Sequence, residues 1–161
     1  MPLNELTHLL RSKAVLMPGV SVTLTLEKTK EVQTWLYKGG LRDYLMQTLN
    51  GDPVIPLLEG DGFADGQHDS FAEGEGAAWC LAFTEDGGAV RESYVNLIPT
   101  SAGGTHELGL RDGVFNAVKS FIELHSLLPK GVKLMPEDVF ARASYVPVSY
   151  THLRAHETVL D

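Results

Sequence analysis

The acidic side chains of the stretch 52–75 are the first candidates for chemistry, because carboxylates bind hard cations and transfer protons. The stretch holds seven Asp and Glu residues, several glycines and neither Lys nor Arg. Asp61, Asp65 and Asp69 recur at every fourth position, whereas an EF-hand calcium loop places its ligands at alternate positions. An exposed, solvated loop therefore explains the stretch better than a metal site does.

The only cysteine, Cys80, is a second candidate, as a nucleophile. It lies within the apolar run 77–83, whereas reactive thiolates occupy electropositive, partly exposed sites. The run therefore predicts a buried, inert thiol. The chain also lacks a Gly-rich phosphate loop, a G-x-S-x-G elbow and, in its main body, Cys or His pairs at zinc spacing. We assign no catalytic residue and no metal ligand from the residue types alone.

The overall charge limits the classes of partner. A net charge of -8 over 161 residues argues against a free-standing nucleic-acid binder, which normally shows a basic face. It remains compatible with a local basic patch on a larger machine. No apolar stretch approaches the roughly 20 residues that span a bilayer, and the amphipathic N-terminus does not resemble a signal peptide. The composition predicts a cytoplasmic protein with no membrane partner.

The pattern of apolar residues predicts the elements that position these side chains. Helices are predicted over 4–17, 41–49, 105–126 and 136–142. Strands are predicted over 20–26, 32–37, 77–83 and 91–98, with a last one beginning at 144–148. The runs 77–83 and 91–98 are separated by a turn and are expected to form a hairpin. The economical arrangement is an α+β fold in which helices cover one face of a single mixed sheet.

The segment 94–111 carries the most specific pattern in the chain. It reads Tyr-Val-Asn-Leu-Ile-Pro-Thr-Ser-Ala-Gly-Gly-Thr-His-Glu-Leu-Gly-Leu-Arg. Its turn consists of Gly103, Gly104, Thr105 and His106. With the stretches 6–16, 37–45 and 128–138, it resembles the transducer domain in the B subunits of bacterial type IIA DNA topoisomerases, topoisomerase IV more than gyrase. The resemblance covers residues 3–145.

This resemblance implies a fold like domain 2 of ribosomal protein S5 and an activity that belongs to a larger parent subunit. In such enzymes, ATP binding dimerises two B subunits and closes a gate on a DNA duplex. The duplex then passes through a break held open by the A subunits. The implied partners are therefore DNA, the A subunit and a second copy of the B subunit, on the chromosome of a bacterial cell. ATP and Mg²⁺ are implied for the parent enzyme, with neither bound by this chain.

The resemblance also implies roles for individual residues. Arg111 matches a basic residue that lines the cavity holding the captured duplex. Lys119, eight positions later on the same predicted helix, is a weaker candidate for the same wall. Without the resemblance, Arg111 is equally well explained as a surface arginine paired with Glu107 or Asp112. His106 is expected to order the strand-to-helix turn and not to perform chemistry.

The last residues depart from the family pattern. Residues 146–161, which begin Val-Pro-Val-Ser-Tyr-Thr-His-Leu-Arg-Ala-His-Glu, resemble a translated sequencing adapter. We therefore expect a transducer domain over 1–145, truncated at both ends, and a non-native or disordered tail over 146–161. His152, His156 and Glu157 lie in this tail and are not interpreted as metal ligands.

A rival function stays open on the sequence alone. A non-enzymatic interaction module on the same S5-like fold would bind a basic partner through the acidic stretch 52–75. Such a module and a topoisomerase domain have the same predicted elements. The sequence features that separate them are the four family stretches, which favour the topoisomerase.

Overall fold

Eleven helices and strands organise the described part of the chain, which comprises residues 2–67, 70–85 and 90–151 of the computed structural model. The helices are α1 (Leu3–Leu16), α2 (Leu41–Thr48), α3 (Thr105–Leu124) and α4 (Pro136–Phe140). The strands are β1 (Val22–Thr25), β2 (Val32–Trp35), β3 (Leu58–Phe63), β4 (Gly76–Phe83), β5 (Tyr94–Val95), β6 (Ile98–Pro99) and β7 (Ala143–Tyr150). All four predicted helices are confirmed.

Strand β7 is the centre of a mixed five-stranded sheet in the order β3-β4-β7-β5-β6. It runs antiparallel to β4 and parallel to β5, and the outer pairs β3–β4 and β5–β6 are antiparallel. Val146 and Val148 of β7 are fully buried, and branched side chains of this kind favour extended backbone. The mixed sheet with its helices confirms the predicted α+β class.

Helices cover both faces of this sheet. On β4, Cys80 faces a core that contains Val15 of α1 and Leu45 of α2, whereas the adjacent Leu81 faces a second core with Phe140 of α4. Neighbouring residues of a strand point to opposite faces, so α1 and α2 lie on one face and α3 and α4 on the other. The predicted covering of one face alone is wrong, because β4 is apolar at consecutive positions and both of its sides must be buried.

A separate two-stranded sheet connects α1 to α2. Strand β1 pairs antiparallel with β2, and Val22 lies opposite Trp35. Val22 and Leu24 are half-buried while the threonines between and after them are exposed, which confirms the alternation predicted for this segment. Val22 and Trp35 also pack against the core under α1 and α2, so the hairpin extends the helical layer on that face.

The acidic stretch contains a strand that was not predicted. Leu58–Phe63 forms edge strand β3, paired along its length with β4, so an exposed loop throughout 52–75 is a wrong prediction. Gly60 and Gly62 hide the strand pattern in the sequence. Gly60 lies against Trp79, where a Cβ would approach a ring carbon of the indole to 2.7 Å. Charged residues are common on edge strands, since one side stays solvated.

The segment after β4 pairs differently from the predicted hairpin. Asn96 adopts a φ of 54° in the left-handed region and divides the predicted strand 91–98 into β5 and β6. Strand β5 lies beside β7 and not beside β4. The predicted hairpin between 77–83 and 91–98 is therefore wrong, because a strand from much later in the chain inserts between them.

Residues 146–150 continue β7, so the disordered alternative expected for the tail is wrong for them, whereas the non-native alternative stays a prediction. Val146 lies opposite Cys80 in the ladder with β4, and on the other side the backbone N–H of Asn96 donates to the carbonyl oxygen of Ser149 at 2.7 Å. The physical reason is that both edges of this strand have hydrogen-bonding neighbours. The remainder of the expected tail, 152–161, lies outside the described residues, together with His152, His156 and Glu157.

Cys80 is expected to resist thiol reagents in the folded chain. Its side chain has no exposed surface, and burial, with Glu59 nearby, raises the pKa of its thiol to about 11. Since the thiolate is the reactive species, modification by a chromogenic aromatic disulfide at pH 8 should be at least roughly 100-fold slower than in the urea-unfolded chain, whose thiol pKa is about 8.5. Equal rates in the two states would show that Cys80 is accessible.

Candidate nucleic-acid interface

A glycine turn carries the chain from β6 into α3. Gly103 has a φ of 74°, and a Cβ at this position would lie 2.7 Å from Oε2 of Glu107. Gly104 is extended, but its Cβ would lie 2.8 Å from the imidazole of His106. Thr105 is the first residue of α3. Two consecutive glycines therefore let the helix begin directly after the turn, with side chains of its first turn folded back over the glycines.

His106 lies in the first turn of α3 and faces the residue that follows β6. Its Nε2 is 3.5 Å from Oγ1 of Thr100, at the long end of hydrogen bonding. The Thr100 hydroxyl in turn lies 2.7 Å from Oγ of Ser93, which is buried. These contacts are the geometry that an ordering role requires, and the ordering role of His106 stays a prediction.

Arg111 lies on α3, half-buried, with its guanidinium carbon 5.0 Å from the centroid of the Phe140 ring. Phe140 in turn packs edge-on against Tyr145, with ring centroids 6.1 Å apart. The carboxylate of Glu107, one of the two acids expected to pair with Arg111, instead accepts a hydrogen bond of 2.8 Å from the phenol of Tyr145. Aromatic contact therefore orients this guanidinium.

A second guanidinium lies at the same aromatic pair. Arg91 is exposed, and its Nη2 donates to the carbonyl oxygen of Phe140 at 2.5 Å. Its Nε is 3.4 Å from the carbonyl oxygen of Ala143, and its guanidinium carbon is 5.9 Å from the ring centroid of Tyr145. Sequence reasoning missed Arg91, because it is a lone cation twenty positions before Arg111. We call the group of Arg91, Arg111, Phe140 and Tyr145 the arginine ledge.

Neither arginine of the arginine ledge has a carboxylate partner within the described residues. In the part of the chain that the structure describes, the ion pairs are Arg42–Glu59 and Lys119–Glu123, and neither ledge arginine takes part in one. Burial raises the pKa of Tyr145, and its hydrogen bond to Glu107 acts in the same direction. The phenol therefore remains a donor at neutral pH and keeps this carboxylate engaged.

Lys119, the weaker candidate, is in a different situation. It lies two turns further along α3 than Arg111, and its Nζ is 3.9 Å from Oε1 of Glu123, one turn further on. Both side chains of this pair are more than half exposed, so the pair is loose and solvent-screened. The structure therefore does not bring Lys119 into the arginine ledge, and a DNA contact by this residue stays a prediction.

A polar network of buried tyrosines and half-buried Glu92 and Arg11 lies on the opposite face of the sheet, under α1 and α2. The Glu92 carboxylate accepts hydrogen bonds from the phenol of Tyr44, at 2.8 and 2.9 Å, and from that of Tyr94, at 2.6 Å. Burial, and then the hydrogen bond to Glu92, raises the pKa of both phenols. Arg11 lies 5.0 Å from the ring centroid of Tyr44 and donates to the phenol of Tyr37 at 2.7 Å. Its members hydrogen-bond to one another and its phenols are buried, which is the arrangement expected of a structural network.

Neither the network nor the ledge resembles a catalytic or metal centre. Among residues 2–67, 70–85 and 90–151, no three His, Cys, Asp or Glu side chains are placed to share a metal ion. A cleft of about 600 Å³ lies between α3 and the sheet, and His106 is the ionisable side chain among the residues that line it. Within the same described ranges, none of the helices has the length and apolar character needed to cross a bilayer. Within the described residues, the ledge places two guanidinium groups that take part in no ion pair against one aromatic pair.

Comparison with known proteins assigns the chain to a family. Residues 40–152 match the family model described as DNA gyrase B. The B subunit of DNA topoisomerase 4 from Escherichia coli (strain K12) is 44% identical over 144 residues, covering 89% of this chain and 22% of that protein. The corresponding protein of Pseudomonas aeruginosa is 43% identical over 144 residues, with the same two coverages. The chain thus spans about a fifth of the length of these relatives.

Solved structures agree with this family assignment. The topoisomerase IV ATP-binding domain of Francisella tularensis, solved with a small-molecule inhibitor, superposes with a TM-score of 0.69 and 31% identity over 95% of this chain and 39% of that one. The 43K ATPase domain of Thermus thermophilus gyrase B, in complex with an aminocoumarin, has a TM-score of 0.73 at 18% identity, over 95% of this chain and 40% of that one. The second match supports the fold alone.

The fold and these matches define a domain from the B subunit of a type IIA DNA topoisomerase, and the chain belongs to the DNA gyrase B family. Within that family, the curated relatives that are 41–44% identical are B subunits of DNA topoisomerase 4. The predicted resemblance, and its preference for the topoisomerase IV branch, is confirmed. The rival interaction module is not favoured.

Proposed function

We propose that this chain is the part of a topoisomerase IV B subunit that couples ATP-driven dimerisation of two B subunits to passage of a DNA duplex, in relaxation and decatenation. Residues 1–145 would belong to the transducer domain. The partners would be DNA, the A subunit and a second copy of the B subunit, on a bacterial chromosome in the cytoplasm. ATP and Mg²⁺ would act elsewhere in the parent protein. The family membership supports this proposal.

One observation carries the DNA-contacting part of the proposal. The guanidinium of Arg111 is held against Phe140 and forms no carboxylate pair within the described residues. Strand passage must work on any sequence, so its DNA contacts are expected to go to phosphates and not to base edges. Arginine suits this contact because it stays charged and can bridge two phosphate oxygens.

Arg111→Gln is the test, made in a full topoisomerase IV B subunit of known activity into which residues 3–151 are grafted. DNA stimulation of ATP hydrolysis and ATP-dependent relaxation should fall at least about 10-fold, equivalent to about 1.4 kcal/mol of lost coupling. The ATPase rate without DNA should change less than about 2-fold, because no part of the nucleotide site is proposed here.

The matched control is Arg42→Gln on the other face of the sheet. Arg42 is about half exposed and pairs with Glu59 at 3.1 Å, so its replacement removes the same charge without touching the ledge. It should leave DNA stimulation unchanged. Equal losses from the two substitutions would mean that net charge, and not the position of Arg111, governs coupling. A melting temperature lowered by Arg111→Gln without any loss of stimulation would make Arg111 a structural residue.

A further inference from the structure

We infer that Arg91 is a second phosphate-contacting residue, and that Arg91 and Arg111 together form a two-guanidinium clamp for the phosphodiester backbone of one DNA strand. The inference rests on the proposed function, because it assigns the same DNA-facing surface. It adds a residue three positions before β5, far from Arg111 in the chain, that contacts the same aromatic pair.

The contacts of Arg91 fix its guanidinium without neutralising it. Two of its nitrogens are directed at the carbonyl oxygens of Phe140 and Ala143, at 2.5 and 3.4 Å. Carbonyl groups are neutral, so the full positive charge remains on the side chain. A guanidinium has five N–H donors, and the residue is exposed, so donors remain for an external anion. Holding the group in place beforehand lowers the entropy lost when a phosphate binds.

The Phe140–Tyr145 pair joins the two cations into one site. Arg111 lies 5.0 Å from the Phe140 centroid, Arg91 lies 5.9 Å from the Tyr145 centroid, and the two rings are 6.1 Å apart. Two like charges are thus held on one continuous aromatic surface. Such a pair is repulsive until an anion lies between or across its members, and a polyanionic strand supplies neighbouring phosphates.

The nearby acids do not cancel this charge. Glu107 is engaged by the Tyr145 phenol. Glu92, next to Arg91 in sequence, bonds Tyr44 and Tyr94 in the core under α1 and α2. Alternation along the chain thus places the positive charge of Arg91 and the negative charge of Glu92 on opposite faces. With a chain charge of -8, this separation is what a local anion site requires.

The test compares DNA affinity over a salt series for the grafted B subunit, using a short linear duplex of mixed sequence as the probe. The variants are Arg91→Gln, Arg111→Gln, the double variant, Arg91→Lys and the control Arg42→Gln. Each single Gln substitution should make the log-log salt slope shallower by about 0.9, and the double variant by about 1.8. Arg42→Gln should leave the slope unchanged. Arg91→Lys, which keeps the charge, should keep the slope to within about 0.3 of the parent value.

The outcomes separate the clamp from the proposed function. A parental slope for Arg91→Gln beside a shallower slope for Arg111→Gln overturns the clamp and leaves the proposed function standing. If Arg91→Gln and Arg111→Gln both keep the parental slope, the clamp and the proposed DNA contact of Arg111 are both overturned. Should Arg91→Gln fail to fold, as judged by the melting of the 161-residue chain, Arg91→Met takes its place, because Met keeps an aliphatic stem and removes the charge. A shallower slope in the folded Met variant supports the phosphate contact, and a parental slope overturns it.

Discussion

Glu92→Ala is expected to lower the free energy of unfolding of the whole chain by about 2–5 kcal/mol, because it leaves two buried phenols without their acceptor. Tyr44 and Tyr94 are 4% and 2% exposed, so water has little access to the two phenols in place of the carboxylate. Urea unfolding, followed by the fluorescence of Trp35 and Trp79, measures the loss. Glu92→Gln keeps one acceptor oxygen and should show roughly half of it.

Glu59→Ala is the control for this substitution. It also removes one carboxylate from the sheet region, but the Glu59 side chain is 53% exposed and its partner Arg42 is similarly solvated. Exposed pairs contribute at most about 1 kcal/mol. Similar urea midpoints for Glu92→Ala and Glu59→Ala would show that the phenols find other partners and that the network adds nothing beyond an ordinary surface pair.

The elements with strong local periodicity were predictable from the sequence. Helices α1 and α3 each present an apolar stripe, and β1 alternates apolar and threonine side chains. Local spacing determines which face of such an element is buried. The sheet order was not predictable in this way. Strand β7 pairs with β4, from which it is separated by a long stretch of chain, and the local sequence does not indicate which distant strand will be its neighbour.

Strand β3 and the end of β7 show two ways in which a strand escapes prediction. In β3, two glycines and two acids interrupt the pattern, and the strand depends on backbone pairing with β4. In 146–150, the resemblance to a foreign sequence outweighed the local signal of Val146 and Val148, which are fully buried. A branched, apolar segment will extend a ladder whatever its origin, provided that neighbouring strands have free hydrogen-bonding groups.

The candidate site was only partly predictable from the sequence. Arg111 was singled out through a family resemblance, but its setting depends on Phe140, which lies on a different helix. Arg91 and the Glu92 network had no local signal, since Tyr44 and Glu92 are separated by 48 positions. Clusters of this kind exist only after the sheet has formed. What the sequence does supply is the abundance of acids, against which unpaired arginines stand out once the fold is known.

Deleting residues 146–161 is expected to abolish the cooperative unfolding transition. The deletion removes Val146 and Val148, both fully buried, and most of the strand that joins β4 to β5. Burial of one valine side chain contributes about 1.5–3 kcal/mol, and whole domains have only about 5–15 kcal/mol of stability. Calorimetry should therefore show no unfolding peak, and far-ultraviolet circular dichroism should show reduced strand content.

The matched truncation removes 152–161 and keeps every residue of β7 as well as Thr151, whose backbone N–H donates to Oδ1 of Asn96 at 3.0 Å. As the sequence predicts for the tail, we propose that this variant melts within about 2 °C of the full chain, a shift that corresponds to at most about 1 kcal/mol for a chain of this size. If the 146–161 deletion instead melts at the temperature of the full chain, the stable domain ends at residue 145, the bound that we expect from the sequence. In that case β7 beyond Tyr145 contributes nothing to the fold.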